Sequence, residues 1–126
     1  MNLDAVPSLE ILDQEVMRQL LDLDDGELGL INEMCVLFRE DTPPRMAQLE
    51  EGICAKDGEQ IGDMAHAVKG AASTMGAPRV RALAQMLETG GRTGIYPGDP
   101  TEILEKLKIA FTEALAALEQ FIASKS

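Results

Sequence analysis

The 126-residue chain has a single histidine, His66, and around it lie the residue types that could support covalent chemistry. Neutral imidazole keeps a lone pair for attack and is available near neutral pH. Lys69 follows His66 by three positions, Gly70 by four and Ser73 by seven, and Gly62 precedes it by four. On a helix, residues three and four apart are neighbours. Such spacing puts an ammonium and a hydroxyl on the side of the imidazole, with glycines in place of bulk. An unobstructed imidazole beside one cation suits a nucleophile that carries an anion.

The stretch reads as a helix. With Ile61 at zero and 100° per residue, Ile61, Met64, Ala65, Val68, Ala72 and Met75 fall within roughly 60° of one direction, the spacing of a core-facing stripe. His66 then lies at about 140°, Lys69 near 80°, Gly62 near 100°, Ser73 near 120° and Gly70 near 180°. The histidine is therefore expected to face away from the stripe. A mid-helix glycine costs about 0.8–1.0 kcal/mol relative to alanine. Gly62 and Gly70 are expected to leave clearance around the ring for another surface.

Other chemistries find no support. The chain has neither Gly-x-x-x-x-Gly-Lys-Ser/Thr nor a kinase-type glycine loop before a strand lysine. One histidine and two separated cysteines do not make a zinc site. No metal ligand set and no Ser-His-Asp arrangement is visible. The expectation is a chain without its own ATP site, a carrier rather than an enzyme.

His66-x-x-Lys69-Gly70, followed by Ser73 and Gly76, resembles the histidine-containing phosphotransfer (HPt) domain of multistep two-component relays. Arg81-Ala82-Leu83-Ala84-Gln85-Met86-Leu87-Glu88 resembles the next helix of that family. The resemblance is close from Ala65 to Glu88, and the helical layout fits the whole chain. It implies that the Nε2 nitrogen of His66 attacks a phosphoaspartate in a receiver domain. The partners implied are receiver domains of response regulators and hybrid histidine kinases. The receiver would supply the aspartate and Mg²⁺, so this chain needs no cofactor of its own. Lys69 would pair with the phosphoryl oxygens, Gly70 would give clearance, and Ser73 would bond the phosphoryl group or fix a water. Gly76 reads as structural. Arg92 would lie in a loop, where some family members place a second cation near the site. Glu88 reads as part of a solvated face or a helix-end contact rather than an acid catalyst, and the role of Gln85 stays open. The docking face is expected around Gly62, Gly70 and Ser73, with a modest, transient interface.

The elements that must position these residues follow from apolar periodicity. Residues 1–8 read as a loose lead-in ending at Pro7-Ser8. Ser8 or Asp13 could cap a first helix, expected over 9–21, and Leu23-Asp24-Asp25-Gly26 reads as a turn. A second helix is expected from near Glu27, with Ile31, Met34, Cys35, Phe38, Thr42, Met46, Leu49 and Ile53 inward. Its phase survives Pro43-Pro44, which predicts one long helix kinked there; the alternative is a break, with Thr42 capping a fresh helix. The third helix is expected over 59–75, stopped by Gly76. The fourth is expected over 78–89, followed by a glycine-rich loop from Thr89 to Gly98. A fifth runs from Asp99-Pro100 to about Ala123. This is an all-α chain, one domain over 1–126: an antiparallel up-down-up-down four-helix bundle with an additional short N-terminal helix across one end.

Composition agrees. Aromatics are 3% and tryptophan is absent, so the core must be aliphatic. A net charge of −11 disfavours nucleic acid and anionic lipid as partners. The start lacks a secretory signal, and no apolar run approaches the roughly 20 residues that span a bilayer. Cys35 and Cys54, on one helix, would stand roughly 28 Å apart, too far to bridge. Both read as reduced core thiols of a cytoplasmic, monomeric protein. The start methionine and polar Ser124-Lys125-Ser126 end lean toward a free-standing chain. The competing reading is a helical adaptor or inhibitor that binds a receiver or kinase without being phosphorylated; absence of acid-labile phosphate on His66 would favour it.

Overall fold

Asp13 opens the first α-helix. In the computed structural model, which describes residues 1–24 and 26–126, its carboxylate accepts hydrogen bonds from the backbone N–H groups of Glu15 and Val16 at 2.9 and 3.3 Å. These are donors that a helix start leaves without partners. α1 is Gln14–Leu23, so it begins five residues later than expected: Asp13 caps it and Ser8 does not. Nor are residues 1–8 a loose lead-in. Leu3–Ser8 forms a 3₁₀ turn with Val6 buried, and the Arg79 guanidinium holds the end of it by donating to the carbonyls of Leu9 and Pro7 at 2.8 and 3.0 Å. The turn expected at 23–26 includes Asp25, which lies outside the described residues.

α2 is Gly29–Ala55. Leu28 provides no side-chain cap; instead the Asp24 carboxylate reaches across to the N–H groups of Leu28, Leu30 and Ile31 at 2.8, 3.2 and 3.5 Å. The helix is continuous through Pro43 and Pro44. Each proline removes a donor to the carbonyl four residues earlier, here on Arg39 and Glu40. Both residues are exposed, so water can take the place of the missing N–H groups. Of the expected inward set, Ile31, Cys35, Phe38, Thr42, Met46 and Leu49 are buried, and Met34 and Ile53 are partly buried against the core. Cys54, by contrast, is exposed while Cys35 is buried; both are free.

α3 (Gly58–Met75) starts on Asp57, whose carboxylate accepts from the Gln60 N–H at 3.1 Å. It ends at Gly76, where φ is +67°, a conformation that costs glycine little. A Cβ there would also meet Val16 at 2.7 Å, so Gly76 lets α1 close over this end of the bundle. α4 is Pro78–Thr93 and α5 is Pro100–Lys125, the latter capped by Asp99.

The short connections reverse the chain at each turn. α3 packs between α2 and α4, and α5 packs on α4 and back on α2, closing a four-membered ring. Ile31, Leu49, Val68, Leu87, Ile103, Leu107 and Leu118 lie inside with no solvent exposure, each worth about 1.5–3 kcal/mol of burial. One ring pair, Phe38–Phe111, adds a contact at 5.0 Å between centroids. Among the described residues no helix is long and apolar enough to cross a membrane, and no group of three or more His, Cys, Asp or Glu could hold a metal ion.

One correction bears on the site. The glycine-rich run after residue 89 is not a loop until Gly94: Gly90, Gly91, Arg92 and Thr93 continue α4. The glycines serve close packing rather than turning. A Cβ on Gly91 would lie 2.7 Å from both the Gly58 carbonyl oxygen and the Gly62 nitrogen. A Cβ on Gly90 would lie 2.1 Å from the Tyr96 ring. Tertiary contact here overrides the low helix propensity of glycine.

Candidate functional site

The outer seam between α3 and α4 carries nearly all the polar groups that the sequence points to. His66 stands on the solvent side of α3, with 65% of its side chain exposed. Its Nδ1 lies 2.8 Å from Oε2 of Glu88 on α4. A carboxylate can only accept, so Nδ1 carries the proton and donates. The other ring nitrogen, Nε2, is left with the free lone pair.

Glu88 is not part of a solvated face, because only 12% of its side chain is exposed. Lys69 Nζ lies 2.5 Å from Oε1. Oε1 is buried, and this ion pair is its one partner among the described residues. Lys69 Nζ also donates to Gln85 Oε1 at 3.1 Å, and Gln85 Nε2 donates to Thr89 Oγ1 at 2.9 Å. Burial pushes the Glu88 carboxyl up, but its contacts with Lys69 and His66 outweigh burial and hold it below the usual carboxylate value. Glu88 is therefore an anion clamped between an ammonium and an imidazole N–H.

Arg92 lies one helical turn beyond Glu88. Its guanidinium donates to Asp63 Oδ1 at 3.2 Å and stands 3.9 Å from Glu88 Oε2. It reaches the site from a helix, not from the loop expected for it. Gly62 also departs from expectation: it is buried, and a Cβ there would lie 2.9 Å from the Arg92 guanidinium. The angle calculated on an isolated helix had no knowledge of α4, which covers that direction. Gly62 makes room for Arg92 rather than for a visiting surface. Gly70 is open, with nothing within 4 Å of a built Cβ. Ser73 is exposed, two turns from His66, and its hydroxyl accepts from Arg81 Nε at 3.0 Å. Gly76 lies at the bundle end and takes no part in the seam.

Glu88 and Gln85 are the residues whose place sequence reasoning missed, and a signal for them existed. Around the turn at Ala77, His66 and Glu88 are each eleven positions away, Lys69 and Gln85 each eight, Gly62 and Arg92 each fifteen, and Ser73 and Arg81 each four. In an antiparallel helical hairpin, equidistant residues come level. All four pairs are in contact.

The arrangement supplies an accessible nucleophilic nitrogen, a carboxylate to hold its tautomer and offset positive charge that the ring gains in a reaction, and cations on either side. Comparison with known proteins bears on what it does. The family model described as Hpt domain matches residues 33–121. Among solved structures, the chain is similar to histidine-containing phosphotransfer protein B (HptB) from Pseudomonas aeruginosa PAO1. The TM-score is 0.76 with 24% identity, covering 86% of this chain and 91% of that one. No curated protein sequence gives a match.

Proposed function

This chain belongs to the Hpt domain family, the histidine-containing phosphotransfer domains of phosphorelays, and we propose that within it His66 is the residue that carries the phosphoryl group. The group comes from the aspartyl phosphate of one receiver domain and passes to the aspartate of another. The single observation that carries this reading is the exposed His66 ring held by Glu88 at 2.8 Å.

In the forward step the Nε2 lone pair attacks phosphorus. The N–P bond forms as the P–O bond to the receiver aspartate breaks, and the bonding pair leaves with that carboxylate. Nδ1 keeps its proton throughout. Positive charge builds on the ring, and the buried Glu88 carboxylate offsets it at hydrogen-bond distance, a fixed electrostatic contribution that needs no rearrangement. The second transfer is the reverse, with a different aspartate attacking phosphorus and Nε2 leaving. Lys69 is held by Glu88 and Gln85 beside the ring, where its ammonium can turn to the phosphoryl oxygens. Gly70 leaves the next turn of α3 clear for the approaching receiver. Mg²⁺ belongs to the receiver, and this chain acts without ATP, as a monomeric carrier in the cytoplasm.

The test is incubation with phosphorylated receiver domains. Acid-labile, base-stable label should appear on this chain and should be lost in His66→Gln. Equal labelling of His66→Gln would overturn the assignment, and binding without labelling across receivers would favour the adaptor reading.

A further inference from the structure

Of the six arginines, four are engaged. Arg18 pairs with Glu15 and Asp22, Arg39 with Glu119 and Arg92 with Asp63, while Arg79 binds backbone carbonyls. Arg45 and Arg81 have no carboxylate partner among the described residues. That is unusual in a chain with 22 acidic and 11 basic residues. Arg45 is on α2, in a groove it shares with Asp41 and Thr74, and His66 is not among the residues that line it. Arg81 is on the seam that carries His66. Its one partner is a neutral hydroxyl, Ser73 Oγ at 3.0 Å, which orients the guanidinium and leaves its charge uncompensated. It also borders a hollow of about 510 Å³ walled partly by Ala82, Met86 and Ile95. An arginine at the edge of apolar surface is a common anchor of protein interfaces.

We propose that Arg81, oriented by Ser73, is a specificity-determining docking residue for the receiver, reading a carboxylate on the receiver's surface. This rests on the functional reading above. Ser73 lies seven residues from His66, about 10 Å along the helix, so the carboxylate that Arg81 reads lies about that far from the transferring phosphorus. The charge argument is direct. With a net charge of −11, the molecule repels an acidic partner at long range, and an uncompensated cation at the edge of the site restores local attraction and sets register. Receivers with a lysine or arginine at that place are rejected.

The experiment measures phosphotransfer from the receiver that labels the unaltered chain fastest, against Arg81→Ala, Arg81→Glu and Ser73→Ala. Arg81 is exposed, so circular dichroism should confirm unchanged helix content. Arg81→Glu should lower the second-order transfer rate roughly tenfold or more and make it rise with added salt, while the rate within the saturated complex stays within about twofold. Ser73→Ala should fall between. Replacing the facing receiver carboxylate by lysine should restore transfer to Arg81→Glu. A second-order rate insensitive to Arg81→Glu, or a loss confined to the saturated rate, would overturn this proposal and leave the functional reading standing. Failure of every receiver to label the unaltered chain would remove that reading, and this one with it.

Discussion

His66 and Glu88, 22 positions apart and on different helices, share a 2.8 Å hydrogen bond in which the carboxylate fixes which ring nitrogen is free. The bond places a largely buried anion behind an exposed nucleophile. It also couples the site to Lys69, because the imidazole and the ammonium meet on one carboxylate.

Substituting that carboxylate should slow transfer without unfolding the bundle. Glu88→Gln keeps the shape and an acceptor for Nδ1 but loses the charge, and we expect transfer to His66 to fall about 10–100-fold. Glu88→Ala should fall further, since the ring then loses its orientation as well. Single-turnover labelling from a phosphorylated receiver checks both, and unchanged rates in Glu88→Ala would remove Glu88 from the mechanism.

The same residue predicts an acid-sensitive contribution to stability. Its carboxyl is held below the reference value of 4.5 in the folded chain. The folded state therefore favours the anion. That stabilisation is fully present above the unfolded value and is lost as pH falls through the folded one. Denaturant titrations from pH 6 down to about pH 3 should show a steeper loss for the unaltered chain than for Glu88→Gln. Parallel curves would contradict it.

The glycines of the seam should separate by their surroundings. Gly91→Ala sets a methyl 2.7 Å from backbone atoms of α3, and pushing two helices apart should cost about 1–3 kcal/mol. Gly70→Ala meets nothing within 4 Å, so helix propensity alone should add up to about 1 kcal/mol. Urea unfolding distinguishes them by the sign of the change. Gly70→Leu should remain stable yet slow phosphotransfer, because the added bulk stands one turn from His66.

Thr42 offers a gain remote from the site. Its hydroxyl is buried with no hydrogen-bond partner, and an unsatisfied buried polar group costs about 1–3 kcal/mol. Thr42→Val keeps the shape and removes that penalty. Thermal unfolding should shift upward, by an amount corresponding to about 1 kcal/mol, with labelling of His66 unchanged.

What could be read from the residues alone was whatever a single helix decides. The stripe Ile61-Ala65-Val68-Ala72-Met75 is buried and His66 is exposed, because 100° per residue sets both. Asp99 starts its helix and Gly76 stops its own through local backbone chemistry that needs no distant partner. The proline pair left kink and break both open; α2 runs unbroken because its freed carbonyls lie on an exposed side, a matter of burial rather than of local sequence. Tertiary structure alone decided the rest. Gly62 and Gly91 read as clearance and as loop, yet they are where two backbones meet, and propensity carries no information about a neighbouring helix. Glu88 reads as one acid among 22. Only the docking of α4 on α3 brings it under the imidazole, because a hydrogen bond across 22 residues exists only once the hairpin has closed.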